Sequence, residues 1–164
     1  MWERSRLGRE GARPEDFETS MLLADHDATG EPVFEEVAVE RVGADALRLL
    51  ATPGVTEDVA AGDVVRLDGE LRPQIVERGG NLAVKLFLED VPRAAVERLL
   101  DRVEAIGGWL DGFVGGRLVV LTFPVASGFP RVEALLNGFV AEHGGGWYYG
   151  NVHDEHDRPL DWWR

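Results

Sequence analysis

The chain has 164 residues, 45% of them hydrophobic, a formal net charge of −13 and no cysteine. That length and apolar content suit one ordinary domain or two very small units sharing an interface. The missing cysteine excludes disulfides, zinc–thiolate centres and thiol catalysis, and the acidity disfavours phosphate backbones and anionic lipids as partners.

The chain begins "MWERSRLGREGARPEDFETS", rich in Arg and carboxylates and without an apolar signal core. Residues 1–31 are therefore expected to form a loosely docked arm, and a cytoplasmic location follows as the default. No apolar run approaches the roughly 18–20 residues needed to span a bilayer. Lys85 is the only lysine. The preference for Arg reads as codon bias in a GC-rich genome.

"PVFEEVAVERVG" opens a β-rich stretch with Val33, Glu35, Val37 and Val39 on one face. "ALRLLATP" follows, ended by Pro53-Gly54. Thr56 is placed to cap a short turn, and "VVRL" is a further strand. Asp68-Gly69 makes a hairpin turn, and Pro73 marks the returning strand as an edge or bulge. Residues 32–80 thus predict a small β-barrel-like unit, open or curled.

At Asn81 the period changes. "NLAVKLFLED" places Leu82, Val84, Leu86 and Leu88 on one face of a strand. Asp90 and Pro92 suit the start of a helix. Its stripe is Val96, Leu99, Leu100, Val103 and Ile106, and Gly107-Gly108 stops it. Two strands follow across Gly115-Gly116. A second helix is expected with Ser127 as its cap and a stripe from Phe129 to Val140, and "WYYGNV" is the last strand. The order over 81–152 is β-α-β-β-α-β, a ferredoxin-like α+β sandwich with one open sheet face. Residues 153–164 are a C-terminal tail.

Several phrases carry a resemblance: "LRLLATPGVTEDVAAGDVVRLDG", "IVERGGNLAVKLFL", "VERLLDRVEAIGGWLDG" and "VEALLNGFVAEHGGGWYYGN". Together they resemble an uncharacterised bacterial family, domain of unknown function family 4265, over about residues 33–152. The resemblance implies no established activity. Small acidic bacterial proteins of this kind can stand beside secreted toxins as immunity proteins. One departure is Gly79-Gly80-Asn81, where the family pattern has Ser-Gly before a polar residue. If that turn binds something in relatives, its side-chain chemistry is weakened here.

The tail segment His153-Asp154-Glu155-His156-Asp157 invites a metal or acid–base reading. It follows a strand and runs into Asp-Arg-Pro, so the two imidazoles are not held on one helix face. A solvated polar connector explains it better than a metal site. The glycines of "ERGGN" and "HGGGW" lack the spacing of a phosphate-binding loop. His143 suits a helix C-terminus, and His26 lies in an acidic loop. Catalytic, cofactor-binding and metal residues are therefore assigned to none.

The aromatics are more informative. Trp147, Tyr148 and Tyr149 are consecutive in one strand, so Tyr148 must face away from the other two. The residues expected to contact a partner are Trp147, Tyr149, Trp162 and Trp163. The last two are also expected to fold back over the open sheet face.

These observations lead to a non-catalytic, acidic, protein-binding protein without a cofactor. Its sharpest form is an immunity-like or antitoxin-like protein that neutralises a basic toxin. The alternative is a small-molecule-sensing ferredoxin-like regulatory module, a homodimer with an apolar pocket around Trp109, Phe113 or Trp147.

Overall fold

The structure is a computed structural model, and it describes residues 17–164. It contains two antiparallel sheets. The first runs in simple sequence order: β1 (Glu18–His26), β2 (Pro32–Arg41), β3 (Leu47–Leu49), β4 (Val64–Leu67) and β5 (Pro73–Glu77). The second comprises β6 (Asn81–Phe87), β7 (Trp109–Val114), β8 (Leu118–Pro124) and β9 (Gly146–Tyr149), in the order β7-β8-β6-β9. Helices α1 (Arg93–Ala105) and α2 (Phe129–His143) connect its strands.

The first sheet departs from the expected arrangement at its start. Residues 18–26, assigned to the arm, form β1 and pair along β2 from Glu18↔Val39 to His26↔Pro32. Two consecutive leucines anchor them: Leu22 and Leu23 are both buried while Met21 is exposed. Residues 1–16 of the expected arm lie outside the described residues. The sheet is not a closed barrel. It is an open meander whose two ends meet at one backbone hydrogen bond, from Leu23 N to Leu71 O at 2.9 Å. Its core is small: Leu22, Val37, Val39, Leu47, Leu49, Val59 and Val65.

The second sheet holds the larger core. Leu82, Val84 and Leu86 of β6 and Val119, Leu121 and Phe123 of β8 point to the helix side. There they meet Val96, Leu99, Leu100 and Val103 of α1 and Val132, Leu136 and Phe139 of α2. These are the stripes that helical spacing demands. The caps differ from expectation. Pro92, not Asp90, is the N-cap of α1, and neither helix has a side-chain cap. Gly128 takes the N-cap position of α2. Ser127 instead donates to Ile106 O at 2.6 Å, tying the end of α1 to the turn before α2.

The sheet face opposite the helices is covered by the chain itself. Segment 51–57 and Glu35, both from the first unit, lie over Ala83, Lys85 and Thr122. Among the described residues, no helix is long and apolar enough to cross a membrane.

Candidate functional site

Lys85 sits in the middle of the second sheet. Its strand neighbours Val84 and Leu86 face the helices, so the pleat turns Lys85 to the opposite face. There it is completely buried. Its ammonium donates to the carbonyl oxygens of Pro53 and Gly54, the latter at 2.7 Å. Burial lowers its pKa below the usual lysine value, opposed by the carboxylates of Glu57 and Glu35.

The same short loop carries the opposite charge on its other side. Glu35 accepts the backbone N–H groups of Gly54 at 2.7 Å, Val55 at 3.0 Å and Thr56 at 2.8 Å, and the Thr56 hydroxyl at 2.9 Å. Thr56, expected as a turn cap, is thus a donor to β2. The peptide groups of 53–56 lie between a cation and a carboxylate, with carbonyls toward one and amides toward the other. Each charge is satisfied by charge-assisted bonds. A Cβ added to Gly150 would lie 3.1 Å from Lys85 Cε, so the backbone walls in the amine's stem. This arrangement fastens the two units together and leaves the amine no approach for a substrate carbonyl.

A second fastening lies beside it. A bulge between Leu110 and Gly112 re-aims Asp111 out of register. Thr122 donates to Asp111 Oδ2 at 2.7 Å, so its proton is committed, and the 2.6 Å contact between the two hydroxyls must be donated by Thr52. Thr52 N also donates to Asp111, and Ala61 N donates to Thr52 Oγ1. A cleft of about 650 Å³ opens next to this network, lined by Glu35, Thr52, Gly54, Asp111, Val114 and Val120 among others.

The second cleft, also about 650 Å³, lies at the edge of β9. Trp147 and Tyr149 enter it from the helix side, and Tyr148 from the other. Trp147 Nε1 donates to Asn137 Oδ1 on α2 at 2.8 Å, and Tyr148 Oη donates to Glu57 Oε1 at 2.7 Å. The remaining lining includes Asp58, Glu133, His153, Asp154, Glu155 and Asp157; among the described residues no Arg or Lys lines it, while Arg158 pairs with Asp154 at 3.7 Å and Arg78 acts on Asp58 from beside it. Partial desolvation raises the pKa of Glu57 and Asp58, against the Tyr148 hydrogen bond in one and Arg78 in the other. Burial likewise raises the Tyr149 phenol, with the Glu133 charge adding to it.

Of the four residues expected to contact a partner, Trp147 and Tyr149 line this cleft. Trp162 and Trp163 do not. Both pack half-buried on the helix-side core. Trp162 donates to Asn151 O at 2.7 Å and lies under the Arg78 guanidinium, while Trp163 meets Phe129 edge-on. They do not cover the open sheet face, because segment 51–57 already occupies it.

The His and acid stretch, expected as a solvated polar connector, is an exposed but tight hairpin. His153 bridges Pro159, Leu160 N bonds Val152 O, and Asp154 Oδ1 accepts the N–H groups of His156 and Arg158. Among the described residues, no group of three or more His, Asp and Glu is arranged to hold a metal ion. The Gly79-Gly80 turn serves packing: a Cβ on Gly79 would fall 2.3 Å from the carbonyl carbon of Gly62.

Lys85, Glu35 and Glu57 are the residues that sequence reasoning missed. One signal was available, a single lysine at mid-strand in "NLAVKLF". On a sheet face expected to be open, a lone cation there reads as solvated, so only the covering of that face by segment 51–57 makes it a buried ammonium.

The family described as Domain of unknown function (DUF4265) matches residues 35–148, from Glu35 to Tyr148. The chain belongs to this family. No curated protein matches it. Among solved structures it is similar to a hypothetical protein from Neisseria gonorrhoeae, with a TM-score of 0.65 and 14% identity, covering 82% of this chain and 94% of that one. That likeness shows the fold alone.

Proposed function

We propose that this member of the DUF4265 family is a non-catalytic binding protein that takes up a basic partner protein at the acidic, aromatic cleft beside β9. The observation that carries this reading is the lining: six carboxylates and three aromatic rings converge there, more negative charge than the neighbouring Arg158, Arg78 and buried Lys85 offset. Trp147, Tyr148 and Tyr149 offer π faces to an ammonium or guanidinium, and the carboxylates offer charge-assisted hydrogen bonds. An immunity-like or antitoxin-like protein blocking a basic toxin is the sharpest form of the proposal. The protein would act in the cytoplasm and need no cofactor.

The polypeptide unit that presents the cleft is read as ferredoxin-like. The order β9-β6-β8-β7, with each helix joining strands one apart in the sheet, supports this.

The test is titration of the purified chain with the product of the adjacent gene, at low and high salt. A micromolar complex that weakens with salt and with Glu155→Lys is expected. No complex removes the immunity form of the proposal.

A second reading, a small-molecule sensor, is favoured by the cleft beside Asp111, Val114 and Val120. It lies on the sheet face opposite the helices, not around Trp147. A thermal-shift screen with metabolites separates the two, because only a sensor is stabilised by a small ligand.

A further inference from the structure

Resting on the reading that the chain binds a basic protein, the geometry points to how that partner docks: an extended segment bearing Arg or Lys adds as a further strand on the outer edge of β9. Its basic side chains then enter the cleft between Glu133 on one side and Glu57 and Asp58 on the other.

β9 ends the second sheet, paired with β6 through Val84↔Tyr149, Lys85↔Tyr148 and Leu86↔Trp147. Gly150 N donates to Ala83 O at 2.8 Å. Alternation along the strand then turns Tyr148 toward β6, and directs the N–H and C=O groups of Trp147 and Tyr149 outward. No described residue hydrogen-bonds to those outward groups.

Sheet edges are commonly protected by bulges, proline or pairing. Each of the other three edges here has such a device. β1 is bulged between Leu23 and Asp25, and β7 between Leu110 and Gly112. β5 begins at Pro73, just after Leu71 has bonded back to Leu23. β9 has none. Its protection is acidic charge, which repels a second copy of this chain and attracts a basic strand.

The lining fits a strand in particular. The cleft is walled from both faces of the sheet, by Trp147, Tyr149 and Glu133 on the helix side and by Tyr148, Glu57 and Asp58 on the other. An added strand sends alternate side chains to opposite faces, so successive basic residues would meet both walls.

The experiment uses the full chain and the capped peptide Thr-Arg-Arg-Thr-Arg-Arg, which places Arg on both faces of a strand, with Thr-Glu-Glu-Thr-Glu-Glu as the control. Amide hydrogen exchange is followed by NMR. Saturation with the Arg peptide is expected to slow exchange of the Trp147 and Tyr149 amides by about tenfold or more, as new backbone hydrogen bonds require. Tyr149→Pro, which removes one outward N–H, is expected to weaken binding about tenfold, the equivalent of one good hydrogen bond. Glu155→Lys is expected to weaken it too, and the Glu peptide is expected not to bind. Binding that is lost in Glu155→Lys while the two amides exchange unchanged overturns strand addition and leaves the acidic-cleft reading standing. Equal binding of both peptides, or of neither, overturns both. The exchange measurement on the unmodified chain decides the matter even if Tyr149→Pro fails to fold.

Discussion

Lys85 Nζ lies 2.7 Å from the carbonyl oxygen of Gly54, across the boundary between the two sheets. The N–H of the same glycine lies 2.7 Å from Glu35 Oε2. One peptide segment therefore joins a buried ammonium to a carboxylate, and the two units meet through it.

Lys85→Met keeps the length of the side chain and removes the cation. Two buried carbonyls lose their donor, at about 1–3 kcal/mol each, and relief of the desolvated ammonium offsets part of this. A net loss of about 2 kcal/mol is expected in urea unfolding, with no new stable intermediate.

Glu35→Ala strips the acceptor from three amides and a hydroxyl. A loss of about 2–3 kcal/mol is expected, and about 1 kcal/mol for Glu35→Gln, which keeps one acceptor oxygen. Because both residues act through one loop, Lys85→Met combined with Glu35→Ala should cost less than the sum of the two. A double-mutant cycle by chemical denaturation checks this.

Asp58 has a backbone φ of 66° and a pKa raised by desolvation. A raised carboxyl pKa means that the folded state holds its proton more tightly than the unfolded state. Its contribution to stability is therefore lost as pH rises from the ordinary Asp value of 3.8 through the folded value. Asp58→Asn retains a residue that tolerates left-handed backbone and removes the charge. The variant should melt higher than the parent at pH 7, and the difference should vanish as pH falls toward 4. Melting curves across that range decide the sign.

Gly79→Ser adds a small polar side chain to this turn. Here its Cβ would fall 2.3 Å from Gly62 backbone. Backbone cannot give way as a side chain can, so a loss of about 3 kcal/mol is expected. A variant as stable as the parent would show that the two loops can separate.

Both helices were legible in the sequence, because their apolar stripes at helical spacing leave little choice of buried face. So were eight of the nine strands, from Pro32 onward, where alternation and turn residues agree. Strand β1 was not legible, because "ETSMLLADH" buries only Leu22 and Leu23 and follows a highly charged stretch. The helix caps were misplaced by a residue or two, since Pro92 and Gly128 start the helices without any side-chain bond.

The sequence by itself determined the apolar faces, the acidity of the surface and the family, since periodicity and composition are local quantities. Only the tertiary structure decided what those faces and charges meet. It brought Glu35 and Lys85 to one loop, and it carried Glu57 across 91 residues of chain to the cleft of Tyr148 and Glu155. Charge pairing across long separations leaves no periodic trace, because each partner is specified by a contact and not by its neighbours. The tail shows the same limit: "VHDEHDRPL" looks solvated as a string, and it becomes the wall of a cleft only because Val152 and Leu160 are joined by a backbone hydrogen bond.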